Sequence, residues 1–146
     1  MEYIMTLEEL QAAAAKDLKM DDLELADESL KSASLHQKYL THFNHFRQLV
    51  ILKEGEYKVL YRKKWEYYGG KADPQVYRDN PFDHKILKSD LGIYLESDTE
   101  LLEAKAKVEY WKMCLDTCER ILKQINSRNW EIRNAIEWRK FIDGDV

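Results

Sequence analysis

A chain of 146 residues, 45% apolar and 34% charged, has the balance of a folded or coiled-coil protein rather than a disordered one, and length enough for one domain. Five glycines and two prolines leave few turns, so long helices are favoured, and no apolar run approaches the ~20 residues of a membrane span. The net charge of −4 is not that of a nucleic-acid binder as a whole, but it is unevenly spread. Residues 1–28 hold nine acids and two lysines, a local charge of −7; residues 44–78 hold eight Lys/Arg against four acids, +4; residues 120–140 hold six against two, again +4.

Met1 to Met5 lacks a basic region followed by an apolar stretch, so no secretory signal is expected. Thr6-Leu7-Glu8-Glu9 fits a capping box and predicts a helix from Leu7 to Leu18, with Leu7, Leu10, Ala14 and Leu18 on one stripe. Lys19 to Asp22 reads as a turn, with Asp22 capping the next helix. From Leu23 to Tyr68 there is no proline and one glycine, Gly55, a candidate bend. Apolar residues recur there at Leu23, Ala26, Leu30, Ala33, Leu40, Phe43, Phe46, Val50, Tyr57, Leu60 and Tyr67, mostly in steps of three and four.

Near the end of that pattern lies Arg62-Lys63-Lys64-Trp65-Glu66-Tyr67-Tyr68-Gly69-Gly70. Cations interleaved with rings suit single-stranded nucleic acid, the charges following phosphates and the rings stacking on bases of any identity. An apolar helix seam with snorkelling basic shoulders accounts for the same pattern, and periodicity does not separate the two. Gly69-Gly70 should end the helix, glycine being the residue that most readily takes the left-handed conformation.

Lys71 to Asp90, punctuated by Pro74 and Pro81, is the least regular part. His84 to Leu87 and Ile93 to Leu95 are β-prone and predict a small hairpin. Ser97-Asp98-Thr99-Glu100 is a second capping box, and Leu101, Ala104, Val108, Trp111, Leu115, Cys118, Leu122 and Ile125 follow in unbroken 3,4 steps, as in a coiled-coil or bundle seam. Asn126 to Asn129 reads as a break before a basic, aromatic helix from Trp130 to Phe141, and Asp143 to Val146 as a frayed tail. The resulting parts are an N-terminal helical part (1–70), a connector (71–96) and a C-terminal helical part (97–146).

Chemistry beyond binding finds little support. His36, His42 and His45 have no second ligand pair at zinc spacing, and Cys114 and Cys118 have neither a second pair for a disulfide framework nor the ligand count for a metal, so a reducing cytosolic setting is the default. Glu56-Tyr57-Lys58 echoes a metal-dependent nuclease motif but falls mid-helix, away from the strands that motif needs. There is no phosphate-binding glycine loop, no G-x-S-x-G and no kinase signature, so no enzyme is expected.

Lys63-Lys64-Trp65-Glu66-Tyr67-Tyr68-Gly69-Gly70-Lys71-Ala72-Asp73 resembles the phage recombination mediators of the UvsY family, found in T4-type phages. In that family a basic segment precedes a Tyr-Tyr-small-Gly end, and Arg62, Lys64, Tyr67, Tyr68 and Gly70 fall on those positions; Lys63 stands where a small residue is common, and Trp65 replaces an aliphatic. Weaker echoes extend over nearly the whole chain: Leu7 to Gln11, Lys16-Asp17, Lys88-Ser89-Asp90, Tyr110-Trp111, and Ile125 and Arg128 leading to Ile132, Ile136 and Phe141.

The resemblance implies a ring of about six or seven subunits in the cytoplasm of the infected bacterial host. It implies single-stranded DNA, a single-strand-binding protein and a RecA-like recombinase as partners, and no cofactor, with the protein loading the recombinase onto covered DNA. On that reading the fold is mainly α-helical with coiled-coil seams. DNA binding falls to Lys58, Arg62, Lys63, Lys64, Trp65, Tyr67, Tyr68 and Lys71, and assembly to Leu115, Leu122, Ile125, Trp130, Ile136, Trp138 and Phe141. The alternative is a coiled-coil scaffold that touches only proteins.

Overall fold

The computed structural model describes residues 4–144; Met1 to Tyr3 of the opening segment, and Asp145 and Val146 of the predicted tail, lie outside the described residues. Helices run over Leu7–Asp17 (α1), Leu25–Tyr68 (α2), Pro74–Asp79 (α3), Leu91–Glu96 (α4) and Thr99–Ile142 (α5), with a single 3-10 turn at Lys88–Asp90. Among the described residues there is no strand, and no helix is long and apolar enough to cross a membrane. The chain packs as two compact units, one formed by the residues up to Arg47 with those from Lys112 onward, the other by Gln48–Trp111.

In the first unit α1 begins as its sequence predicts, the Glu9 amide donating to Thr6 Oγ1 at 3.2 Å. Leu10 and Ala14 are buried, and Asp17 at the helix end accepts from Lys38 Nζ at 2.6 Å and from the Tyr39 hydroxyl at 2.8 Å, fastening α1 to α2. Entry to α2 differs from expectation. Asp21, not Asp22, makes the turn by accepting from the Leu23 amide at 3.0 Å, and the helix starts at Leu25.

The buried face of α2 is also not the predicted one. Leu23 and Leu30 are 79% and 80% exposed, whereas Leu25, Glu28, Ser32, Tyr39 and Phe46 face inward. The reason stands on α5. Arg128, 2% exposed, donates through Nη2 to Glu28 Oε2, and this buried pair turns a polar stripe of α2 into the core. Farther along, the Cys118 thiol donates to the Tyr39 carbonyl at 3.1 Å; burial, with Cys114 beside it, pushes that thiol up to about 11. Neither cysteine is in a disulfide and both are buried, small core side chains rather than reactive ones.

No break interrupts α5 at Asn126 to Asn129. Ile125, Arg128 and Ile132 all point into the core there, and their burial outweighs the poor helix propensity of Asn and Ser. The apolar face of α5 in this unit is wider than a two-position seam: Cys114 and Ile121 are buried while the predicted seam residues Leu115 and Leu122 are half-buried beside them.

In the second unit the predicted hairpin is absent. His84 to Leu87 has no strand partner, Lys88–Asp90 forms the 3-10 turn and Ile93 lies within α4. Leu87 and Ile93 are 70% and 65% exposed, so pairing them would bury little, while the helical turn delivers Leu95 to the core and Tyr94 to an aromatic cluster. The start of α5 shifts by one residue: its N-cap is Asp98, whose Oδ1 accepts from the Leu101 amide at 3.0 Å, while Ser97 Oγ donates back to the Ile93 carbonyl at 2.7 Å. Gly55 lies inside the uninterrupted α2.

Candidate nucleic-acid interface

The end of α2 is built as its two glycines predict. Gly70 takes φ +74°, its amide donates to the Tyr67 carbonyl at 3.3 Å, and the Lys71 amide donates to the Glu66 carbonyl at 2.8 Å, the paired bonds of a Schellman cap. The Tyr77 hydroxyl from α3 adds bonds to the Tyr67 and Glu66 carbonyls at 2.8 and 3.3 Å and accepts from the Ala72 amide at 3.2 Å. A helix end that would otherwise leave carbonyls to water is thus tied to the connector.

The geometry separates the three rings that the sequence leaves together. Tyr67 and Tyr68 turn inward into a cluster with Tyr77, Phe82 and Tyr94, with centroids of the Tyr67 and Tyr68 rings 5.1–5.7 Å from their neighbours. The Tyr67 hydroxyl donates to the Asn80 carbonyl at 3.0 Å, and that of Tyr68 to Asp98 Oδ2 at 2.5 Å. Burial, then the Asp98 charge, hold the Tyr68 hydroxyl well above the usual phenol range. These two tyrosines are structural pins between α2, the connector and α5. Trp65 instead is 40% exposed, and Lys71 Nζ lies 4.6 Å from its ring centroid.

The cations divide the same way. Lys58, Arg62, Lys63 and Lys71 are exposed. At 100° per residue Lys58, Arg62 and Trp65 fall on one outer face of α2, and the cation of Lys71 closes that strip across the indole. The approach of Arg62 Nε to Glu66 Oε1, 3.9 Å long between exposed groups, is weak and leaves the guanidinium available. Lys64 is different: its side chain is 18% exposed, and Nζ lies 3.3 Å from both Asp98 Oδ2 and Glu100 Oε1.

Burial alone would raise the Asp98 carboxyl, but bonds from Tyr68, the Leu101 amide and Lys64 bring it below the usual carboxylate range. A groove of about 720 Å³ runs past these groups, lined among others by Arg62, Lys63, Lys64, Lys71, Asp98 and Glu100. Such a surface can hold a phosphodiester strand by charge and offer one indole face for stacking. Among the described residues no group of three His, Cys, Asp or Glu side chains is placed to hold a metal ion.

Asp98, Glu100, Tyr77, Phe82 and Tyr94 complete this region, and none stands out in sequence as part of it. A carboxylate two residues past a turn, or a lone aromatic in a connector, has no spacing that ties it to a helix end 10 to 36 residues away. The residues assigned to assembly lie in the other unit. Leu115 and Leu122 are half-buried and Ile125 is in the core, whereas Trp130, Trp138 and Phe141 are 62–69% exposed and Ile136 sits at the margin. Trp138 and Phe141 stack at 5.7 Å, and Arg133 lies 5.4 Å from the Trp130 ring.

Comparison with known proteins places this architecture. The family model described as "Recombination, repair and ssDNA binding protein UvsY" matches residues 13–145. A relative, "Recombination protein uvsY" of Enterobacteria phage T4, is 27% identical over 140 residues, covering 96% of this chain and 99% of its own. Among solved structures, the bacteriophage T4 recombination mediator protein UvsY in its lattice type II superposes with a TM-score of 0.85 at 27% identity, covering 95% of this chain and 98% of that one. Its lattice type IV form gives 0.84 at 26%, covering 94% and 99%.

Proposed function

We propose, since this chain belongs to the UvsY family, that it is a non-enzymatic recombination mediator which binds single-stranded DNA as a homo-oligomer. In the cytoplasm of the infected host it loads a RecA-like recombinase onto DNA covered by single-strand-binding protein. The observation that carries the DNA-binding part is the outer strip of Lys58, Arg62, Trp65 and Lys71, where cations and one accessible indole share a face. Lys63 and Lys64 line the adjoining groove. Lys71 covers one face of Trp65, so a base stacks on the other or displaces the ammonium. Tyr67 and Tyr68 act indirectly, by holding the end of α2 in place.

Lys58→Ala with Arg62→Ala should weaken binding of a labelled oligonucleotide and flatten its salt dependence, by about 0.7 in the log–log slope for each phosphate that is no longer neutralised. Both residues are exposed, so the fold should be untouched. Fluorescence anisotropy at several salt concentrations reads both effects, and unaltered binding would remove this strip from the interface.

The reading includes assembly, because a few cations per subunit give a firm grip only when many copies act together. Trp130, Trp138 and Phe141 form the largest exposed aromatic set among the described residues of the first unit, and aromatic side chains carry much of the energy of protein interfaces. Trp138→Ala with Phe141→Ala should therefore reduce the mass measured by light scattering to monomers or small species, without loss of helix by circular dichroism. A full-size oligomer from that variant would move the subunit interface elsewhere.

A further inference from the structure

We infer that Glu100 is an electrostatic gate on the DNA-binding groove, holding Lys64 away from phosphate until a strand displaces it. This inference rests on the proposed DNA-binding reading and concerns how that site is tuned.

Within the basic segment, Lys64 is the cation held by two acids at once. Its ammonium lies midway between two carboxylates, at 3.3 Å from each, and the two acids are unlike. The Asp98 side chain is 5% exposed and fixed on three sides, by the Leu101 amide, the Tyr68 hydroxyl and Lys64 itself. Its position is set by the need to cap α5, and no ligand can move it cheaply. Glu100 is 65% exposed, in the first turn of α5, and with Lys64 it makes an ion pair open to water. Such a pair is weak and exchangeable.

An incoming phosphate therefore meets a lysine that always keeps one partner and can trade the other. Before the exchange Glu100 cancels the charge of Lys64 and repels the strand; afterwards Lys64 bridges Asp98 and the phosphate. Part of the attraction of Lys64 for DNA is thus spent on moving an acid, which makes binding weaker and more reversible than the sequence of cations suggests. A mediator that must release its strand to a recombinase is served by that arrangement.

The test uses full-length protein and a labelled oligothymidylate. Glu100→Gln keeps the side-chain shape and should tighten binding roughly three- to tenfold at low salt, steepening the salt dependence by about 0.7 per engaged subunit. Glu103→Gln removes an equal charge from the same exposed stretch of α5, at a residue outside the Lys64 ion pairs, and should change binding much less. In a Lys64→Gln background the gain from Glu100→Gln should vanish, with thermal melts confirming that each variant is folded. No gain, an equal gain from Glu103→Gln, or a gain that persists without Lys64 would each overturn the gate while leaving DNA binding intact. Wild-type protein that ignores the oligonucleotide at low salt would instead overturn the DNA-binding reading, and the gate with it.

Discussion

Glu28→Leu should destabilise the protein, although it places an apolar residue at a buried helix position. Arg128 is 2% exposed, and Glu28 Oε2 is the acceptor for its Nη2; Nε and Nη1 are already buried without a protein acceptor. Removing the carboxylate leaves an uncompensated cation in the core. The loss should appear as a lowered Tm at fixed protein concentration. The double variant Glu28→Leu with Arg128→Met should recover most or all of it, because no orphaned donor then remains. Urea denaturation of the wild type and three variants gives the coupling energy directly. If Glu28→Leu alone proves neutral, the pair does not organise this core.

Asp98→Ala should cost about 2–4 kcal/mol, summing removal of a helix cap with the stranding of the Tyr68 hydroxyl and Lys64, both partly buried. Its pH dependence gives a second check. The folded-state value of Asp98 lies below its unfolded one, so the stability it contributes is complete above the unfolded value near ~3.9 and is lost as pH falls through the folded value. Asp17 is depressed as well: its burial would raise it, but Lys38 and Tyr39 overcome that, so it adds to the same acid limb. The stability gap between wild type and Asp98→Ala should be constant from neutral pH down to about 5 and shrink below 4. Denaturant midpoints measured across that range would show it, and a gap that widens in acid would contradict the assignment.

Local chemistry is readable wherever a short-range rule controls the outcome. The cap at Thr6, the glycine stop at Gly70 and the helical nature of both long segments all follow from residues within a few positions of one another. The basic and aromatic segment is also visible, together with its two possible meanings. What the pattern does not contain is which ring faces out. Trp65 and Tyr67 are two residues apart and similarly apolar in character, and only Tyr77 and Phe82, brought up by the connector, take Tyr67 inward.

The same limit explains the elements that differ from expectation. Leu23 and Leu30 resemble core because they are leucines at helical spacing, but the face of α2 that is buried is chosen by Arg128, 100 residues from Glu28. The expected break at Asn126 to Asn129 rests on propensity, which is worth tenths of a kcal/mol per residue, against burial of Ile125 and Ile132, worth about 1.5–3 kcal/mol each. The expected hairpin at 84–95 rests on β-propensity, which depends on a neighbouring surface to pack against. The segment instead takes the 3-10 and helical turns that let Leu95 and Tyr94 reach such a surface.

By itself, then, the amino-acid order determined that this protein is mainly helical, with a first long helix that ends in a cation-rich, glycine-stopped segment, because helix formation, capping and charge are properties of neighbours along the chain. Tertiary structure alone decided which helix faces are covered, that Lys64 is shared between Asp98 and Glu100 while Arg62 stays open, and that the Tyr-Tyr pair packs into an aromatic cluster with the connector. Those outcomes depend on partners 10 to 100 residues away, brought within hydrogen-bonding distance only when the helices pack, and no local pattern carries them.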